Sequence, residues 1–397
     1  MNDPGASKPA WQGEATSEAD AAALLTRLRA EIDRVDRELL AVLNRRAALV
    51  REVGALKGAG AAGSSATSGT GRGAVYRAGR ERDLVEALVR ENPGPFPSAA
   101  LPAVYREIIS GTRSLEARLR VAYLGPEGTS SHLAAREAFG SQPELVSVAT
   151  LGEVIEAVAR GTADHALLPI ENTSEGVVTQ ALDALLACEV PICGERWLRI
   201  SYQLVSQSGR REDVARVASH PQALAQCRGW LDRQLPAAAR VETSSTAVAA
   251  ALAREQVDVA AIVNAALADE SGLRAIAGGI EDRRDNTTRF LVLGGEAPPP
   301  SANDLSMLAY TVRKAESGAL HRLLEPFARH AVNLTSIQAR PLKGAPWEYV
   351  FFLDLEGHMS EPRVQAACEE AGRLANSFRV LGSFPRAREA RREEGPR

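Results

Sequence analysis

Cysteine is scarce in this chain of 397 residues, and its four copies, Cys188, Cys193, Cys227 and Cys368, include no C-x-x-C pair. The six histidines supply no H-x-x-x-H spacing. A disulfide framework and a zinc site are therefore not expected, no metal is called for, and a reducing, cytoplasmic compartment fits. No run approaches about 18 consecutive apolar residues, so no membrane span is expected. The polar stretch 1–18 lacks the apolar core of a signal peptide and reads as disordered. An excess of one charge sign is missing too: 47 Lys and Arg face 50 Asp and Glu, for a net charge of −3. That balance gives no reason to expect nucleic acid or a membrane surface as partner. No glycine loop reads G-x-G-x-x-G, so a dinucleotide is unsupported and no cofactor is expected. No Ser-His-Asp or Cys-His order suggests a nucleophilic enzyme.

What is present is globular, with 45% hydrophobic and 24% charged residues, in a chain long enough for two or three domains. From about Ala21 to Lys57 the pattern is one long helix with Leu28, Val35, Val42, Leu49 and Leu56 recurring every seventh residue. A second row runs Leu25, Ile32, Leu39, Arg46 and Val53. Such a helix would span roughly 55 Å, wider than a small domain can cover, and an intertwined homodimer is expected. Gly58 to Gly73 reads as a flexible loop, followed by helices over Arg80–Glu91 and Ser98–Arg118.

Past Leu119 short apolar strands alternate with helical segments, from Arg120–Leu124 to Val259–Val263. The alternation predicts a two-lobed α/β domain with a largely parallel sheet and a crossing point near Ser201. Pro298-Pro299-Pro300-Ser301 marks a linker. Beyond it the order βαββαβ, from Ser306 to Phe384, predicts a ferredoxin-like α+β domain, and Arg386–Arg397 a charged, frayed tail. The expected boundaries are 1–18, 19–118, 119–297, 304–386 and 387–397.

Charge in the wrong place marks the helical part. Arg46 occupies an apolar seam where Leu or Val would be expected, and a buried guanidinium needs an anion. A salt bridge to Glu38 or Glu52 would meet that need as simply as a ligand would. Lys57 shares its face, about 20° round the helix, whereas Arg29 points about 100° away. In the α/β part, three strands run into hydroxyl-rich turns: Gly125-Pro126-Glu127-Gly128-Thr129-Ser130-Ser131-His132, Glu171-Asn172-Thr173-Ser174-Glu175-Gly176 and Thr243-Ser244-Ser245-Thr246. Singly, each is a helix cap. Together they set amide groups and hydroxyls at the carboxyl ends of strands, where α/β sheets bind anions. His220 more simply closes a strand than serves catalysis.

These residues carry a resemblance. The runs Leu28-Arg29-Ala30-Glu31-Ile32-Asp33, Asn44-Arg45-Arg46, Val53-Gly54-Ala55-Leu56-Lys57 and Tyr76-Arg77-Ala78-Gly79-Arg80-Glu81 resemble the all-helical chorismate mutase family over about 20–118. The resemblance implies that Arg29, Arg46 and Arg80 hold the carboxylates of chorismate and that Lys57 meets its ether oxygen. Glu81 would orient the ring hydroxyl, Thr112 would line the site and Glu116 would face the ether oxygen. A Claisen rearrangement needs no nucleophile, only a held conformer and cations at the breaking ether. A glutamate there donates only when protonated, so mutase activity should fall as pH rises and Glu116→Gln should flatten that profile.

Over about 119–296, Gly-Pro-Glu-Gly-Thr, Pro-Ile-Glu-Asn-Thr, Ser219-His220-Pro221-Gln222 and Thr288-Arg289-Phe290 resemble prephenate dehydratase, with Ser130 replacing a usual aromatic. By that resemblance Thr288 serves the leaving hydroxyl. Thr129, Ser131, Asn172, Thr173, Ser174, Ser245, Thr246 and Arg289 form the expected binding set, although Arg289 could equally brace its turn. Residues 304–386 resemble the ACT sensor family, which implies phenylalanine as effector at Gly318, Ala319, Leu320, Asn333, Leu334 and Gln338. There Gln338-Ala339-Arg340-Pro341 replaces the family's Glu-Ser-Arg-Pro. The function expected is a bifunctional enzyme of phenylalanine biosynthesis. The alternatives are an arogenate-preferring dehydratase and a non-catalytic amino-acid-binding regulator.

Overall fold

The computed structural model describes residues 18–61, 76, 78–283, 285–301, 303–313, 317–342 and 348–387. The chain divides into two compact units, Met1–Ser64 and Ser65–Arg397. In the first, α1 (Glu18–Ala61) is a single helix of 44 residues, about 66 Å long. It continues through Gly58, which the sequence assigned to a loop. The rest of that loop lies outside the described residues. The seam is open: Leu25, Ile32 and Leu39 are 54%, 59% and 54% exposed.

The second unit begins with α2 (Ala78–Glu91) and α3 (Leu101–Arg113). The third helix ends five residues earlier than the sequence reading placed it. Ser114 turns its hydroxyl back to the Gly111 carbonyl, 2.7 Å away, and the chain leaves the helix there.

Two mixed sheets follow. The first holds β1 (Arg120–Leu124), β2 (Glu144–Val148), β3 (His165–Asn172), the short β4 (Gly176–Val177) and β5 (Ile192–Arg199), with β11 (Thr287–Gly294) returning late in the chain. Its order is β2-β1-β3-β11-β5, and β4 pairs with β3. The second has order β10-β6-β9-β7-β8, from β6 (Tyr202–Ser206), β7 (Arg216–Ser219), β8 (Ala239–Glu242), β9 (Val259–Asn264) and β10 (Arg274–Gly278). Neither sheet is largely parallel. β11 runs antiparallel to both β3 and β5, and β6 antiparallel to β9 and β10. The cause is the double crossing: the chain leaves the first lobe after β5 and must re-enter it from the second, inserting β11 against its neighbours. Helices α4 (Ser130–Phe139), α5 (Leu151–Ala159) and α6 (Thr179–Ala187) belong to the first lobe. Those of the second are α7 (Pro221–Gln226), α8 (Arg228–Gln234), α9 (Thr246–Glu255) and α10 (Ala265–Ser271).

The C-terminal part runs β12 (Asp304–Arg313), α11 (Ala319–Arg329), β13 (Leu334–Pro341), β14 (Glu348–Glu356), α12 (Pro362–Leu374) and β15 (Ser377–Pro385). Its antiparallel order β13-β14-β12-β15 is the ferredoxin-like arrangement. It shares a core with the first lobe: Leu291 and Leu293 of β11 and Leu182 of α6 pack with Met307, Phe352 and Leu381. Gly382 makes the approach possible, because a Cβ there would lie 2.3 Å from the Ile192 carbonyl oxygen. Among the described residues no helix is long and apolar enough to cross a membrane, and no cluster of acidic, His and Cys side chains could hold a metal ion.

Candidate active site

A cleft of about 310 Å³ opens between the two lobes of the α/β region, lined by Thr129, Ser131, Tyr202, Gln222, Ser245, Thr246 and Asn264 among others. Two helices begin at its wall. Thr129 caps α4, its hydroxyl oxygen accepting from the His132 N–H at 3.3 Å; Ser245 caps α9, accepting from the Val248 N–H at 3.1 Å. Capping and lining are therefore one arrangement: each hydroxyl satisfies part of its helix end while the remaining first-turn N–H groups stay available to an anion. None of the lining residues is Lys or Arg. A dicarboxylate here would meet helix termini, each equivalent to about half a positive charge.

Gly128, at φ +82°, forms the turn before α4. Its carbonyl accepts from Asn264 Nδ2 at 2.8 Å and Thr246 Oγ1 at 3.2 Å, which ties the lobes across the cleft. His132 Nδ1 accepts from the Gly128 N–H at 3.2 Å, and burial holds that imidazole below its ordinary pKa, in its neutral, accepting form. His220 caps α7, Nδ1 accepting from the Gln222 N–H at 3.3 Å, and it also lines the cleft.

Thr288, Asn172, Thr173 and Ser174 lie beside this cleft rather than on its wall. Thr288 is 9% exposed. Asn172 gives one amide proton to Thr288 Oγ1 at 2.8 Å and the other to Asn286 Oδ1 at 2.9 Å. The Asn172 oxygen accepts from the N–H groups of Ser174 and Glu175, at 2.8 and 3.1 Å. With Asn172 fixed on both sides, the Thr288 oxygen is an acceptor and its own proton is directed elsewhere. The network continues from Asn286 Nδ2 to Gln226 Oε1 at 3.0 Å. It ends at Glu175, whose carboxylate accepts from Gln222 on the cleft wall. Thr173 is a strut, donating to the Asp285 carbonyl and accepting from the Thr287 N–H. Asn264, Asn286, Gln222 and Gln226 were not singled out from the sequence as site residues; the polar residues flanking Thr288 and His220 were the available signal.

Arg289 departs from the substrate-binding set expected for it. Thr288 and Arg289 are neighbours on a pleated strand, and their side chains take opposite faces. Nε of Arg289 donates to Glu195 Oε2 at 2.8 Å and Nη1 pairs with Asp354. Burial alone would lower its pKa, but the two carboxylates outweigh that and raise it. The bracing alternative is the one its contacts match.

Of the residues expected at chorismate, Arg29, Arg46 and Lys57 stand on α1, with Arg46 half-buried and Arg29 exposed; the Lys57 side chain lies outside the described residues. In the second unit, Arg80 and Glu81 open α2. Nη2 of buried Arg113 donates to both Glu81 carboxylate oxygens, at 2.5 and 2.6 Å, and the Arg113 guanidinium lies over the Tyr76 ring. Thr112 donates to the Ile108 carbonyl within α3, and Glu116 sits in the turn beyond that helix. In the C-terminal domain, Gly318 at φ +76° precedes α11, which begins Ala319-Leu320. Leu334 and Gln338 lie on the edge strand β13, and Asn333 comes just before it.

The fold and cleft define a two-lobed α/β protein with a hydroxyl- and amide-lined site suited to an anion, joined to a ferredoxin-like domain. Residues 121–298 match the prephenate dehydratase family model, and residues 28–117 match chorismate mutase type II. A bifunctional chorismate mutase/prephenate dehydratase of Aquifex aeolicus is 41% identical over 367 residues, covering 91% of this chain and 98% of that protein. Prephenate dehydratase from Arthrobacter aurescens, solved with L-Phe, superposes with TM-score 0.62 and 34% identity over 68% of this chain and 90% of that one. A structure described as a quorum-quenching acylase gives TM-score 0.61 and 30% identity, covering 68% and 98%. One fold thus serves differently described activities, and family membership rests on sequence and domain order. The chain belongs to the bifunctional chorismate mutase/prephenate dehydratase family. It carries an isomerase and a lyase activity of phenylalanine biosynthesis.

Proposed function

We propose that Thr288 delivers the hydrogen bond that releases the ring hydroxyl of prephenate as CO₂ departs, and that the α4 and α9 termini hold the substrate carboxylates. The observation that carries this reading is the Asn172–Thr288 hydrogen bond at 2.8 Å. It occupies the threonine oxygen and leaves its proton for the substrate. A threonine is a weak acid, so the bond is effective only as a polarised donor away from water. Aromatisation supplies the driving force. Thr129, Ser131, Ser245 and Thr246 are the binding hydroxyls of this reading, and Gln222 joins them through Glu175.

On α1, Arg29, Arg46 and Lys57 are the cations assigned to chorismate. A second copy of the chain covering the α1 seam supplies the partner surface, which makes the protein a homodimer; the exposure of Leu25, Ile32 and Leu39 supports it. The unpaired edge strand β13 offers a second place for copies to meet, with phenylalanine bound beside Gly318 and Gln338. The four unpaired cysteines agree with a reducing, cytoplasmic setting. Chorismate added to the pure protein should yield prephenate and then phenylpyruvate. Accumulation of prephenate without phenylpyruvate would sink the dehydratase assignment.

A further inference from the structure

We propose that Arg289 is a positioning residue for the dehydratase reaction, holding Thr288 in register through a buried ion triad anchored on the C-terminal sheet. The inference rests on the reading of Thr288 given above. Arg289, Glu195 and Asp354 are 5%, 3% and 4% exposed. They come from β11, β5 and β14, so the triad fastens the strand that carries Thr288 to both its sheet neighbour and the sensor. The pairing of β11 with β3 shifts register between Arg289 and Phe290. At such a bulge the ladder fixes the backbone less completely, and a side-chain anchor decides where the neighbouring residue points. The anchor continues on both sides. Glu195 Oε1 accepts from the Ala387 N–H at 2.9 Å, just past β15. Asp354 stands opposite Ser336 on β13, two residues from Gln338.

Stability alone explains this arrangement poorly. A buried ion pair is weak evidence for stability, because desolvation offsets its attraction. Among the described residues Nη2 of Arg289 is moreover buried with no hydrogen-bond acceptor, an unmet cost that an apolar side chain of similar size would avoid. What the triad supplies is direction. It holds one face of β11 against the sensor while the opposite face presents Thr288 to Asn172.

The test uses the full chain with Asp354→Asn, a triple variant, Thr288→Ser, the Asp354→Asn/Thr288→Ser double variant and Thr288→Ala. Asp354→Asn removes the sensor-side charge. The triple variant Glu195→Gln/Arg289→Met/Asp354→Asn leaves no uncompensated charge and guards against simple misfolding. Thr288→Ser keeps the hydroxyl. Asp354→Asn and the triple variant should each lower dehydratase kcat by roughly 10- to 100-fold, the scale of a 1 Å misplacement. KM for prephenate should stay within about twofold, as expected when binding groups are untouched, and mutase turnover should be unchanged. Asp354→Asn and Thr288→Ser should also be non-additive, since both act at one oxygen. Wild-type kcat in the folded triple variant, or additive effects in the double variant, overturns the inference while Thr288→Ala remains inactive. Turnover retained by Thr288→Ala overturns both this inference and the reading beneath it.

Discussion

The long helix α1 and the sheets of the second unit contain the same aliphatic residues, yet the two regions use them in opposite ways. Leu39 on α1 is 54% exposed, whereas Leu167 on β3 and Leu291 on β11 are fully buried. A helix offers one stripe and has no second surface of its own to cover it. A sheet strand offers two faces, and here both are covered, by α4 and the second lobe on one side and by α5, α6 and the sensor on the other. Each exposed leucine of the seam forgoes about 1.5–3 kcal/mol. The lesson is that α1 leaves its apolar stripe open within one chain, while the α/β lobes and the C-terminal sheet complete their interior together.

Separating the two chemistries gives the sharpest contrast. Thr288→Ala should reduce phenylpyruvate formation by about 10³-fold, within the range for losing a positioned proton donor. Chorismate consumption should be unaffected, and a parallel loss of mutase turnover would mean that the halves are not independent. The converse variant, Arg46→Ala, should lower mutase turnover by roughly 10²–10³-fold, the scale of one lost electrostatic stabiliser. Prephenate turnover in that variant should stay at the wild-type rate.

Assembly comes next. Leu39→Glu places a charge in the seam, twice in a symmetric pair. Self-association measured by sedimentation should weaken by about 100-fold, from roughly 3 kcal/mol of lost apolar burial. Unchanged association would show that the seam is not the contact, and the comparison with the self-contained unit would lose its basis.

The smallest effect concerns the interior of the second unit. His165 is buried beside Tyr76, Phe139 and Cys193, and burial pushes its imidazole down from the ordinary 6.5 to about 4. The unfolded chain takes up a proton near pH 6.5 that the folded chain refuses until about pH 4. This contribution is therefore complete above pH 6.5 and is lost as pH falls through that window, about 3 kcal/mol in all. His165→Phe should flatten the fall in urea midpoint between pH 7 and pH 4.5. A variant that loses stability with pH as steeply as wild type would place the acid sensitivity elsewhere.

Local features were legible before any coordinates. The turns from Gly125 to Ser131 and from Thr243 to Thr246 read as caps because a cap is made within four residues, and Thr129 and Ser245 make those contacts. The long helix was legible from its repeat, and the sensor from its element order. Residues joined only by distant packing were harder to read. Asn286 and Gln226 meet across sixty positions of chain, and no spacing rule links them. For Arg289 the sequence left substrate binding and bracing equally open, and only the strand's pleat, which sends Thr288 and Arg289 to opposite faces, and the contacts to Glu195 and Asp354 favour bracing.

The sequence by itself determined the long helix, the caps and the ferredoxin-like order, because periodicity, caps and element order are short-range properties of the chain. Its motif blocks carried the resemblance from which the two chemistries were expected. Only the tertiary structure decided the mixed strand directions, the amide network that donates to the Thr288 oxygen, and the pairing of Arg289 with Glu195 and Asp354. Those depend on which surfaces meet after the chain has crossed between lobes twice, and long-range contact of that kind leaves no local signature.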